Sequence, residues 1–423
     1  MKALISPSDL CGTVLAPPSK SAGHRSLICA ALSDGEVKIN NLGESNDMTA
    51  TINALTALGA TFRRDGLTAT ITPVKHNNKD ITVDFLESGS TARFLIPVAA
   101  ALGCENITFT GQGRLPKRPF DTIAEVLRKN GVTCFGDSLP MTVSGQLKCG
   151  SFTLPGDISS QYISGLLLAL SIVEGESEII LTTPLQSRDY VLMTVNELRS
   201  FGTEITVLEN GFKISGRPSL TSTDRYVEGD WSQAAFHLVA GAVGGDITVT
   251  GVDLNSLQGD EEIVNLLRRF GAEITVSGSS VTARKSALKG ITIDASQIPD
   301  LVPILAVAAS FAEGETVINN AGRLRIKESD RLYETALRLK LFGIDVTETA
   351  DGLKIFKGVP HGADITSAND HRIVMAFSVM AANSYGPSTI DGAEAINKSY
   401  PLFFKDFTSL GGECNVIDNR RKD

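Results

Sequence analysis

A chain of 423 residues, 42% apolar and 21% charged, has the composition of a globular protein and the length for two domains. Its net charge of −9 argues against nucleic acid as a partner. Six cysteines, at 11, 29, 104, 134, 149 and 414, form no CxxC pair, so neither a zinc site nor a disulfide framework is indicated. They read as buried or incidental thiols in a reducing cytosol. The N-terminus, MKALISPSDL, has no signal or transit character. The longest apolar runs, such as Leu301–Phe311, fall short of the ~20 residues a membrane span needs. A cytoplasmic protein without membrane contact is expected.

In chain order, a short β-like stretch, Lys2–Ile5, comes first and is expected to pair with the second half of the molecule. One pattern then recurs. An apolar helix ends at a glycine that opens a β-like run: Gly35 (DGEVKI), Gly103 (GCENITFT), Gly175 (EGESEIIL), Gly245 (GGDITVT), Gly314 (EGETVIN) and Gly386 (YGPSTID). The intervals are 68, 72, 70, 69 and 72 residues. A second helix follows each time and ends at Gly59, Gly131, Gly202, Gly271, Gly343 or Gly411, in sequences such as LTALGATF and LRRFGAEI that fit a helix cap feeding a strand. Turns such as RRDGLTATI and LENGFKISG close the repeats as hairpins. The spacing therefore predicts an α/β protein of six repeats, each reading helix, turn, strand, polar loop, helix, glycine cap, strand and usually one more strand, too long in period for an ordinary solenoid. Three repeats fall in residues 14–226. Three fall in 227–423, to which residues 1–13 are added. The crossings are expected near 13–14 and 226–228, beside the polar stretch SGRPSLTSTDR.

Fourteen residues before each marker glycine stand Ser21, Gly89, Gln161, Trp231, Asp300 and Arg372, each at the polar start of an apolar helix. Apolar helices are buried helices, and helix N-termini offer N–H groups and partial positive charge to anions. Ser, Asp and Asn at such starts also serve as plain caps. The basic residues Lys20, Arg25, Arg93 and Arg372 oppose the helix dipole there, which makes sense if a bound anion compensates them. The loops into the second helices add Arg114, Lys117 and Arg118, then Arg188, then Lys327-Glu328-Ser329-Asp330-Arg331, then Lys398. The five histidines show no metal spacing, and no HExxH, GxxxxGK[ST] or GxSxG occurs. An enzyme for polyanionic substrates, working without metal or nucleotide, is the bottom-up reading.

At this point the residues resemble the 5-enolpyruvylshikimate-3-phosphate (EPSP) synthase family. The matching runs are Pro18-Ser19-Lys20-Ser21 with His24-Arg25, Ser88-Gly89-Ser90 with Arg93, Lys117-Arg118-Pro119, Ser159-Ser160-Gln161, Val227-Glu228-Gly229-Asp230, Asn255–Asp260, Ile298-Pro299-Asp300, Lys327–Arg331, Asn369-Asp370-His371-Arg372 and Lys398-Ser399-Tyr400-Pro401. The resemblance implies a two-lobed inside-out α/β barrel of the enolpyruvyl transferase type, six repeats of a βαβαββ-like unit with three in each lobe, and lobes that close on the substrates. It implies transfer of the enolpyruvyl group of phosphoenolpyruvate to the 5-hydroxyl of shikimate 3-phosphate, in chorismate and aromatic amino-acid biosynthesis. The reaction would be addition–elimination through a tetrahedral intermediate, with no cofactor, in a monomer, open to competition by glyphosate.

Carried over residue by residue, the resemblance implies that Ser21 and Arg25 hold the shikimate carboxylate region. Ser159, Ser160, Ser187 and Lys327 would hold its phosphate, with Gln161 and Tyr190 along the ring. Lys20, Arg93, Arg118, Arg331, Arg372 and Lys398 would clamp phosphoenolpyruvate, with Gly89 leaving room. Asp300 would be general base toward the 5-hydroxyl and Glu328 would serve methylene protonation; Lys20, His371 and Lys398 are further proton-transfer candidates. Two positions depart from the family pattern: Arg323 stands where asparagine is frequent, and Glu87 replaces an asparagine. The rivals are the sister sugar-nucleotide enolpyruvyl transferase, whose loop cysteine is absent from Gly111–Pro119, and a non-catalytic anion-binding relative.

Overall fold

A computed structural model describes residues 1–75 and 80–418. Two compact units emerge, one continuous, Pro18–Glu228, and one split, Met1–Pro17 with Gly229–Asp423.

The continuous unit holds helices α1 (Lys20–Ala31), α2 (Asn46–Ala57), α3 (Gly89–Leu102), α4 (Asp121–Lys129), α5 (Ser160–Leu170) and α6 (Arg188–Ser200). Its three sheets share one strand order. In one, Thr82–Asp84 runs parallel to Cys104–Thr110, which pairs antiparallel with Met141–Gly145, which pairs antiparallel with Thr133–Phe135. Ser151–Leu154, Gly175–Leu181, Gly211–Gly216 and Glu204–Leu208 repeat that order. So do Arg225–Tyr226, Val37–Asn40, Thr68–Thr72 and Thr61–Asp65.

The split unit repeats the plan with α7 (Trp231–Gly244), α8 (Ile263–Phe270), α9 (Val302–Ser310), α10 (Arg331–Leu341), α11 (His371–Ala382) and α12 (Phe403–Ser409). Its sheets have the same order, but the N-terminal segment fills two places. Strand β1 (Lys2–Ser6) lies between Ser388–Asp391 and Glu413–Ile417, antiparallel to both. Strand β2 (Cys11–Leu15) runs parallel to Asp246–Thr250. Because β2 is held there as far as Leu15, the chain leaves the split unit after Pro17 rather than at residues 13–14. It returns at Glu228–Gly229, after Arg225–Tyr226 has taken the matching outer place in the first sheet of the continuous unit.

Within each unit the first helix of every repeat is buried on all faces. Thirteen residues of α7 and every residue of α11 are buried, whereas α4 and α8 bury only one side. This separates core helices from surface helices. The glycines after the second helices, Gly59, Gly131, Gly202, Gly271, Gly343 and Gly411, all take left-handed φ angles, from 83° to 108°. A side chain is disfavoured there, which is the physical cause of the second repeating marker. Among the described residues no helix is long and apolar enough to cross a membrane.

Candidate active site

In the continuous unit the candidate residues lie on the starts of α1, α3, α5 and α6. Ser19, Ser88 and Ser159 cap α1, α3 and α5, each side chain accepting from a backbone N–H of the first turn. Arg93, one turn into α3, is buried; its Nη1 donates to Gln161 Oε1 at 3.0 Å and its Nη2 to the Pro119 carbonyl at 3.4 Å. Its guanidinium stacks 5.0 Å from the Phe120 ring and 5.4 Å from the Tyr162 ring. Gln161 in turn donates to Ser90 Oγ at 2.8 Å. Helices α3 and α5 approach closely enough for this because Gly165 has no side chain: a Cβ there would lie 2.2 Å from the Arg93 carbonyl oxygen. Arg118, also buried, reaches the same spot from the loop before α4. Arg93 and Arg118 thus gather around Gly89 at a helix N-terminus, and no carboxylate contacts Arg93 among the described residues. That arrangement suits a bound phosphate or carboxylate.

Lys20 forms an ion pair with Asp47 at 2.6 Å. Arg25 is buried and fully engaged: Nε donates to Thr194 Oγ1 at 2.8 Å, Nη1 to the Ser21 carbonyl at 2.7 Å and Nη2 to the Tyr190 carbonyl at 2.5 Å. Burial pushes its pKa down to about 10, so it remains charged at neutral pH. It therefore ties the start of α1 to the start of α6. Ser187, just before α6, is buried with φ 52° and ψ 47°, a left-handed conformation that costs a non-glycine residue about 1 kcal/mol or more. Strain of this kind concentrates at functional positions.

In the split unit one carboxylate, Asp300, receives three cations. Arg331 Nη1 lies 2.9 Å from Oδ1, Arg372 Nη2 lies 2.9 Å from Oδ2, and Lys327 Nζ is 3.8 Å from Oδ1. Arg331 also donates to Glu328 Oε2 at 2.7 Å and through Nε to Asp370 Oδ2 at 2.9 Å. Asp370, wholly buried, caps α11 through the Arg372 N–H and accepts from Ser329 Oγ at 3.0 Å. Arg372 Nη2 is steadied by Ser232 Oγ at 3.1 Å. Burial alone would raise the Asp300 pKa, but Arg372, Lys327 and Arg331 outweigh it and hold the carboxyl well below its usual range. Asp370 is likewise held low, burial being outweighed chiefly by Arg331. Burial pushes Lys327 down to about 8 against the pull of Asp300 and Glu328. Lys398 is buried, with Nζ donating to the Asn369 carbonyl at 2.7 Å, and His371 is buried at the first position of α11. Ala368 and Asn369 both have left-handed φ, 50° and 56°, just before Asp370.

The structure thus brings Gly89, Arg93, Arg118 and Gln161 together in one unit, and Asp300, Lys327, Glu328, Arg331 and Arg372 together in the other. Lys20, Ser21, Arg25, Ser159, Ser160, Ser187 and Tyr190 stand on neighbouring helix starts, while His371 and Lys398 flank Asn369–Asp370. Of the departures, Arg323 donates to the Ser296 carbonyl at 2.8 Å, and Glu87 lies against Gly113, where a Cβ would fall 2.5 Å from its carboxylate. Asp47, Thr194, Ser232 and Asp370 hold Lys20, Arg25, Arg372 and Arg331, and none of the four stands out as a site residue in the sequence. Asp370 stands inside the Asn369-Asp370-His371-Arg372 run; the others carry no local signal. Among the described residues no cluster of three or more His, Cys, Asp or Glu could hold a metal ion.

The fold is shared with an enolpyruvyl transferase, NikO from Streptomyces tendae, at a TM-score of 0.79, 20% identity and 98% coverage of both chains. It is also shared with the EPSP synthase of Acinetobacter baumannii, at a TM-score of 0.82 and 29% identity, covering 98% of this chain and all of that one. The molecule thus has the enolpyruvyl transferase fold. The family model described as EPSP synthase (3-phosphoshikimate 1-carboxyvinyltransferase) matches residues 5–407. The 3-phosphoshikimate 1-carboxyvinyltransferases of Clostridium kluyveri and Clostridioides difficile are 44% and 41% identical over 97% of this chain, covering 97% and 98% of their own lengths. The chain belongs to the EPSP synthase family.

Proposed function

We infer that the chain transfers the enolpyruvyl group of phosphoenolpyruvate to the 5-hydroxyl of shikimate 3-phosphate and releases phosphate. The family match over residues 5–407 carries this reading. The chemistry of the site residues supports it. Both substrates carry a phosphate and a carboxylate, and such groups call for paired, hydrogen-bonding cations. Arg93 and Arg118 around Gly89, with Lys20, Arg331, Arg372 and Lys398, hold phosphoenolpyruvate. Arg25 fixes Ser21 and the backbone of Tyr190 for the shikimate carboxylate. Ser159, Ser160, Ser187 and Lys327 hold the shikimate phosphate, with Gln161 and Tyr190 along the ring. The enzyme acts as a cytoplasmic monomer, and glyphosate competes with phosphoenolpyruvate.

Asp300 is the general base and Glu328 the group that serves the methylene carbon. The 5-oxygen bonds to C2 of phosphoenolpyruvate while its proton passes to Asp300 and a proton reaches C3. The tetrahedral adduct then loses phosphate from C2 and a proton from C3. A carboxylate held low by Arg331, Arg372 and Lys327 is a weak base. Anionic groups that draw the two arginines onto themselves raise its basicity when the hydroxyl is in place. His371 and Lys398 are further proton-transfer groups.

Phosphate release from shikimate 3-phosphate plus phosphoenolpyruvate tests the activity. Turnover with a sugar nucleotide instead, or no turnover with either acceptor, would overturn it. Asp300→Ala is expected to lose most turnover yet still bind shikimate 3-phosphate in calorimetry. Turnover near wild type would remove Asp300 as the base.

A further inference from the structure

A file of buried polar side chains at the start of α3 has no part in the scheme above. His24 Nδ1 on α1 is 2.7 Å from Thr51 Oγ1 on α2. Thr51 Oγ1 is 2.7 Å from Thr91 Oγ1 on α3. Thr91 Oγ1 donates to Ser88 Oγ at 2.7 Å, and Ser88 Oγ also accepts the Thr91 backbone N–H at 3.4 Å. None of the four residues is more than 1% exposed. The file links three helices, so it fixes where α3 begins relative to α1 and α2.

Proton counting gives the file a direction. Each hydroxyl carries one proton. Thr91 gives its proton to Ser88, so the contact between Thr51 and Thr91 needs Thr51 as donor. The contact between Thr51 and His24 then needs Nδ1–H. The competing use of the Thr51 proton, toward the Asp47 carbonyl, is longer, at 3.2 Å. The opposite direction would bury a protonated Nε2 with no acceptor, whereas this one leaves only a lone pair on that nitrogen. An orphaned N–H is the rarer defect in protein interiors. Burial, with Lys20 and Arg25 nearby, holds the His24 pKa well below its usual value, so the ring stays neutral. The last proton of the file, on Ser88 Oγ, meets no acceptor among the described residues, and Ser88 directly precedes Gly89.

We propose that His24, Thr51 and Thr91 are positioning residues that orient the Ser88 hydroxyl as a hydrogen-bond donor to the anion held by Arg93 and Arg118 beside Gly89. The donor suits a phosphate or carboxylate oxygen, and the proposal rests on reading that spot as the phosphoenolpyruvate site. No bond changes in the file; it adds one donor whose direction is set before the anion arrives.

Two measurements test it. Long-range 1H–15N correlation on protein carrying 15N-histidine reads the tautomer directly. His24 is expected as the Nδ1–H form near neutral pH; the Nε2–H form would overturn the direction. In steady-state kinetics, Thr51→Val keeps the side-chain volume and removes the hydroxyl. The KM for phosphoenolpyruvate is expected to rise about three- to tenfold, as for one lost hydrogen bond, with kcat and the KM for shikimate 3-phosphate unchanged. Thr51→Ser restores the wild-type value. Ser88→Ala gives the same rise, and the double variant gives no more than either alone. An unchanged KM in both single variants, or equal rises for both substrates, would sink the proposal. Should Thr51→Val fail to fold, Ser88→Ala and the tautomer decide alone. A wild-type enzyme that releases no phosphate would point instead to failure of the family reading, which the tautomer measurement does not touch.

Discussion

A Cβ on Gly89 would lie 2.4 Å from Arg118 Nη1 and 2.8 Å from Arg93 Nη1. Contacts that short force both guanidinium groups to move, and a displacement near 1 Å in a positioning group costs on the order of 100-fold. Gly89→Ala is therefore expected to lower kcat/KM for phosphoenolpyruvate about 10- to 100-fold, with little change in shikimate 3-phosphate affinity. Steady-state kinetics with each substrate varied in turn checks this, and equal losses for both would contradict it. Residues such as Asp300 and Arg372 were legible because the glycine period puts them in one register with Gly89. Asp47 and Ser232 were not. Each matters only through a cation brought to it by the fold, and an aspartate or serine in a first helical turn looks like an ordinary cap.

The candidate site residues cluster at helix starts, and Asp370 joins two of them. It accepts from Ser329 and Arg331 before and within the first turn of α10, and from the Arg372 N–H in α11. Sequence reading could name α11 and its polar start, but not that its cap would be the buried partner of an arginine 39 residues earlier. Removing the carboxylate leaves Arg331, itself 1% exposed, without its main counter-charge. Breaking a buried pair in this way costs about 3–5 kcal/mol. Asp370→Ala is expected to lose that much stability in chemical denaturation; a loss under about 1 kcal/mol would show the pair to be dispensable. The pH dependence follows from the same groups. Asp300 and Asp370 have folded-state pKa values below their ordinary ones. Their stabilisation is thus fully present above about pH 4, where unfolded carboxyls ionise. It is lost as pH falls below that, toward the lower folded-state values. Asp370→Ala should flatten this acid limb.

At the scale of the molecule, the six-fold period was written in glycines, because a left-handed cap admits little else. What no local pattern announced is how the N-terminal segment is used. Strand β2 stands before α1 in sequence yet lies parallel to Asp246–Thr250, and Arg225–Tyr226 takes the equivalent place beside Val37–Asn40. Such an exchange is set by pairing partners more than 180 residues apart, beyond any periodicity. It makes the split unit depend on residues 1–17. Strand β1 is an inner strand, pairing Lys2 with Asp391 on one side and with Ile417 on the other. Without it, Glu413–Ile417 loses its described strand partner and the buried side chains Ala3 and Ile5 are missing from the core. Residues 229–418 alone are therefore expected to aggregate or remain unfolded, with unpaired strand edges and exposed apolar surface. The register that puts Lys2 opposite Ile417 also brings Met1 close to Asp418. A permuted chain that runs from Gly229 to Asp418 and continues through a short Gly/Ser linker into Met1–Pro17 should fold cooperatively by itself. Circular dichroism and thermal melting of these two chains decide the matter. Equal, cooperative melting of residues 229–418 without the N-terminal strands would show that the split unit does not need them.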